Sequence, residues 1–129
     1  MSEVHEWYVV FGEFFEKRSR WHIFTRPGWR HVLAFGWSGD RWIIVDPMSH
    51  RMGVMAVEGK QLDEMIVGFG LMNAKILRMK RAGIHRLRAW EPLYCVSVIK
   101  HLLGLDGFAL TPEQLYRLML RRGAVPAFK

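Results

Sequence analysis

Three residues of this chain could together do nucleophilic chemistry: Cys95, His31 and Asp46. Cys95 is the only cysteine. A thiol attacks as its thiolate, and the unpaired N–H groups and dipole of a helix N-terminus favour that anion. Pro92 suits a first helical turn, and Val96, Ile99 and Leu103 then recur at helical spacing up to Gly104. Cys95 is therefore expected near the start of a helix, where free N–H groups would also serve as an oxyanion hole. A lone cysteine followed by Val96 and Val98 equally fits a small buried apolar residue.

A nucleophilic thiol needs a base, and the base needs an orienting group. His31 opens the strand-like run His31 to Trp37, and Asp46 closes the run Arg41 to Asp46. The Ser38-Gly39-Asp40 stretch between them signals a hairpin. A two-residue turn would pair His31 directly with Asp46. A four-residue loop would leave them diagonal but on one face, and a three-residue loop would put them on opposite faces. His22, His50, His85 and His101 compete for the base, and His50 is also an alternative third member. No spacing of His, Cys and carboxylate matches a zinc site, and no cofactor is expected.

The remaining elements follow from pattern. Trp7 to Gly12 and Arg51 to Val57 read as strands. Gln61 to Met72 reads as a helix weakened by two glycines. Lys75 to Lys80 and His85 to Trp90 read as two more strands, and Lys17 to Arg30 as a basic loop turning at Pro27-Gly28. Thr111, Pro112 and Gln114 make an N-cap, an N1 proline and a capping box for a last helix ending at Gly123. The expected fold is α+β: an antiparallel meander followed by C-terminal helices, in one domain over residues 1–129.

This order resembles the circularly permuted branch of the NlpC/P60 papain-like superfamily, in which the cysteine helix follows the histidine strand. The stretches that carry the resemblance are Trp29-Arg30-His31-Val32-Leu33-Ala34-Phe35 and Tyr94-Cys95-Val96-Ser97-Val98-Ile99-Lys100. The tail from Cys95 to Arg117 also looks like a small protein type found in phages and prophages. The resemblance implies a cysteine hydrolase, a peptidase or amidase, with Cys95 as nucleophile, His31 as base and Asp46 as orienting group. Its substrate would be a peptide, isopeptide or acyl bond, in a bacterial or phage-infected cytoplasm. The sequence departs from the family around the nucleophile, where Tyr94-Cys95-Val96 replaces the usual Asp/Asn-Cys-Ser/Glu, and Glu91 stands one turn away. A binding-only member of the same fold is the alternative.

Composition sets the outer bounds. Half of the 129 residues are hydrophobic, with six Trp and eight Phe, which supplies a core without staples. One cysteine rules out an intramolecular disulfide and fits a reducing compartment. Neither a signal peptide nor a membrane-spanning run is read from the pattern. The formal net charge is +7, and from Met65 to Trp90 there is no acidic residue. Trp21, Trp29 and Trp42 interleave with arginines, a pattern suited to phosphates and bases, so a small basic nucleic-acid-binding protein is a third reading. No helix-turn-helix, RNP or zinc-finger signature backs it, and an anionic substrate would use the same charge.

Overall fold

The computed structural model describes residues 4–12, 29, 31–47, 52–71, 73–81 and 95–127, with the backbone alone at 95. The loop expected over Lys17 to Arg30 (apart from Trp29), the strand expected over His85 to Trp90, and Glu91 and Pro92 lie outside the described residues, as do His22, His50, His85 and Trp21.

The described residues form a mixed α+β fold with a six-stranded antiparallel sheet and three helices. The strands are β1 (Glu6–Gly12), β2 (His31–Trp37), β3 (Trp42–Pro47), β4 (Met52–Val57), β5 (Lys75–Lys80) and β6 (Val125–Pro126). The helices are α1 (Gly59–Leu71), α2 (Cys95–Leu103) and α3 (Pro112–Arg121). The sheet order is β4-β3-β2-β1-β5-β6. The meander holds for the first four strands only. Strand β5 is a departure from it: α1 carries the chain from the β4 edge back across the sheet, so β5 pairs with β1.

The apolar pattern explains this layering. In β1 and β2 successive residues are buried on both faces: Val9 and Val10, then Leu33 and Ala34. Successive strand side chains point to opposite faces, so a central pair of this kind needs cover on both sides. One cluster joins Trp7, Val9, Phe11, Val32, Ala34, Val45, Leu77 and Met79 to α2 and α3 through Val96, Ile99, Leu103, Leu115 and Met119. The other joins Val10, Leu33, Phe35, Ile44, Val57 and Ile76 to α1 through Leu62 and Phe69. The sheet is thus the middle layer.

Local signals set the element ends. In α1, the stripe of Leu62, Met65, Ile66 and Phe69 outweighs the two glycines, and Asn73 at φ 56° closes the helix as Ala74 N–H reaches the Phe69 carbonyl. Helix α2 ends as expected at Gly104, φ +62°, with Leu105 N–H bonded to the Lys100 carbonyl at 2.9 Å. Helix α3 carries the expected capping box, Thr111 with Gln114. Strand β6 was not foreseen, since two residues, one of them proline, carry no strand pattern; it is held by register against Leu77 and Arg78.

The close packing of β1 on β2 has one sharp point. A Cβ on Gly36 would fall 2.3 Å from Val4 Cγ1 and 2.9 Å from the Glu6 carbonyl oxygen. Gly36→Ala should therefore destabilise the fold by about 1–3 kcal/mol. Urea unfolding would show this as a lower midpoint at unchanged slope. A midpoint equal to wild type would mean that the strands can separate there without cost.

Candidate functional site

The β2–β3 hairpin is the scaffold of the site. Its register pairs Trp37 with Trp42 and Ala34 with Val45, which is the four-residue loop of Ser38 to Arg41. The loop closes through Ser38 N–H to the Arg41 carbonyl at 2.9 Å and Arg41 N–H to Ser38 Oγ at 3.2 Å, with Gly39 at φ +108°. Glycine takes that conformation without the steric cost of a Cβ. This register leaves Asp46 diagonal to His31, on the same face.

The two side chains meet. His31 Nε2 and Asp46 Oδ1 are 2.6 Å apart, with His31 4% and Asp46 7% exposed. An ionised carboxylate only accepts hydrogen bonds, so the ring nitrogen facing it carries the proton. With Asp46 ionised, His31 Nε2–H donates to it, and the lone pair of a neutral ring then lies on Nδ1. That tautomer is what a general base at Nδ1 requires. Asp46 is held in turn by the β3–β4 ladder, where it stands opposite Gly53, a residue with no side chain to crowd the carboxylate.

Cys95 is the first residue of α2. Residues 91–94 lie outside the described residues, so Cys95 is the first described residue of that helix. Ser97 and Val98, one turn further on, line a mostly apolar groove of about 310 Å³ with Val45, Met52, Val54, His101 and Leu102. Val45 adjoins Asp46 in β3, and α2 as a whole packs against β2 and β3.

The two parts approach the sheet from different sides. Strand alternation groups His31 and Asp46 with Leu33 and Ile44, on the face that α1 covers. Helix α2 packs its Val96, Ile99 and Leu103 against Val32, Ala34 and Val45, on the other face. Helix α2 and the His31–Asp46 pair therefore belong to opposite faces of the sheet. The structure therefore unites two of the three expected residues and sets the third on a neighbouring element.

Of the competing histidines, His101 is described, and it is exposed on α2 at the apolar groove. Two buried polar residues went unremarked in the sequence: Ser97 and Lys100, 4% and 2% exposed, on the same helix as Cys95. A lysine between Ile99 and His101 gives no sequence signal of burial, because lysine is ordinarily solvated. Among the described residues no group of three or more His, Cys, Asp or Glu could hold a metal ion, and no helix is long and apolar enough to cross a membrane.

Removing the carboxylate leaves a buried ring N–H without its acceptor, at a cost of about 1–3 kcal/mol. Asp46→Ala should lower stability to urea by that amount. Asp46→Asn should lose less, since its amide oxygen still accepts from Nε2–H. Equal stability of Asp46→Ala and wild type would show that the pair does not hold the hairpin end together. No family model, curated protein or solved structure matches this chain, so the chemistry of these residues alone carries the functional reading.

Proposed function

We propose that this chain is a thiol hydrolase of permuted papain-like order, acting on an amide or ester bond, with Cys95 as nucleophile, His31 as base and Asp46 as the residue that orients the base. The observation that carries this reading is the buried 2.6 Å hydrogen bond between His31 and Asp46. It is a base–orienter pair at the end of a hairpin, in a sheet on which the helix carrying the chain's one cysteine packs.

The chemistry runs as follows. His31 Nδ1 takes the thiol proton, and the thiolate adds to the substrate carbonyl carbon. N–H groups at the start of α2 face the resulting oxyanion. The protonated imidazole then gives its proton to the departing amine or alcohol, leaving a thioester on Cys95. Water, deprotonated by the same nitrogen, hydrolyses the thioester and restores the thiol. Asp46 stabilises the imidazolium through Nε2–H in both halves of the cycle.

The placement of α2 and of the His31–Asp46 pair on opposite sheet faces favours a second reading. In it the pair is a structural clasp that closes the open end of β2 and β3, and the protein works by binding, not by hydrolysis.

Alkylation separates the two readings, and the single cysteine makes the label unambiguous. Iodoacetamide labelling of Cys95 would be followed against pH in wild type, His31→Ala and Asp46→Asn. An activated pair should give rapid labelling well below the ordinary thiol pKa of about 8.5. His31→Ala should abolish that low-pH labelling, and Asp46→Asn should reduce it. An ordinary thiol profile, identical in a folded Asp46→Asn and in wild type, would rule out the hydrolase and leave the clasp.

A further inference from the structure

The sheet has a second feature at the end opposite His31 and Asp46, where residues of the α1 face meet the end of α3 from the other face. Here the strands present aromatic and cationic residues side by side. Trp42 pairs with Trp37 across the β2–β3 hairpin, with ring centroids 5.3 Å apart at 58°. Tyr8 stacks on Phe35 at 5.0 Å and 5°. Tyr8 stands opposite Arg78, and Glu6 opposite Lys80. Trp37 follows Gly36, the partner of Trp7, so it lies beside Glu6. Neighbouring strands are about 4.8 Å apart, which sets Trp37 and Lys80 roughly 10 Å from each other across β1.

Two observations point to a ligand. First, Trp37 is 48% exposed although it is a large aromatic ring braced against Trp42. A ring fixed by one neighbour and open on its other side is a stacking platform. Second, Arg78, Lys80, Arg81 and Arg122 line a cleft of about 450 Å³, in which Glu6 is the one carboxylate among the described residues. All four cations are exposed. They come from β5, from the residue after it and from the turn that ends α3, so the fold and not a charge run in the sequence brings Arg122 to the others.

We propose that this end of the sheet binds single-stranded nucleic acid, with phosphates in the cleft of Arg78, Lys80, Arg81 and Arg122 and a base stacked on Trp37. Cations recognise the phosphodiester backbone, and an exposed aromatic ring recognises an unpaired base by its face. The same ring has no use for a duplex, whose bases are already stacked, and the described structure presents a sheet here, with no helix for a major groove. The site is distinct from Cys95, His31 and Asp46, and does not depend on their chemistry.

The test is fluorescence anisotropy with a labelled oligothymidylate, the matching duplex, and heparin and inorganic phosphate as competitors. Wild type should bind the single strand more tightly than the duplex. Its affinity should fall with salt with a log–log slope of about −2 to −3, as expected for three or four cations on a single strand. Trp37→Ala should weaken binding about tenfold or more by loss of one stacked base. Arg78→Ala with Lys80→Ala should weaken it and flatten the salt slope. Both variants alter exposed residues, and thermal melting checks that each folds; Cys95→Ala should bind as wild type does. Free phosphate competing as well as the oligonucleotide would reassign the cleft to small anions and overturn the proposal. So would equal affinity for duplex and single strand with no effect of Trp37→Ala, which is the signature of the +7 charge acting on any polyanion.

Discussion

Everything in this fold follows from burying both faces of the β1–β2 pair. Val9, Val10, Leu33 and Ala34 are all at most 1% exposed, and a strand pair with no polar face cannot stand at a solvent boundary. Two helices, α2 and α3, cover one face, and α1 covers the other. This constraint also explains the crossover. After β4 the chain returns over the α1 face, reaching β5 at the far side of β1. At roughly 25 cal/mol per Å² of apolar surface, the burial of Phe35 and Phe69 outweighs the cost of the two interior glycines, Gly68 and Gly70, in α1.

That same alternation decides the site. On a strand, one residue of shift exchanges the faces, so the side on which His31 and Asp46 emerge is fixed as firmly as the core itself. The sequence could locate both residues at the open end of a hairpin, and two of three loop lengths put them on one face. It could not choose between those two. The choice was made by Ser38 and Arg41, whose backbone and side-chain bonds close a four-residue loop around Gly39. Helix starts and stops were legible for a similar local reason: Thr111 with Gln114, and Gly104 after Leu103, act within one turn of chain.

What the sequence hid was nonlocal. A helix carrying Val96, Ile99 and Leu103 shows that it has an apolar stripe, but not which face of the sheet the stripe meets. The hairpin end and the helix start were each readable; their relation across the sheet was not. Strand β6 and the burial of Lys100 belong to the same class, because both depend on neighbours distant in sequence. The basic residues of Lys75 to Arg81 read in sequence as part of a solvated sheet face. Folding adds Arg122 from the end of α3 to it, and turns a run of charge into a cleft.

The sheet thus carries two chemistries at its two ends. His31 opens β2 and Trp37 closes it, and six residues of strand at about 3.4 Å each put them roughly 20 Å apart. That distance is well beyond a Debye length of about 8 Å in physiological salt, so the two ends are electrostatically separate. The His31–Asp46 pair is moreover buried, and its local partner is a carboxylate 2.6 Å away. The contacts that hold this pair are therefore local to its own end of the sheet. The excess of positive charge belongs to association: it acts at the Trp37 end, where the cations are exposed and the aromatic surface is open.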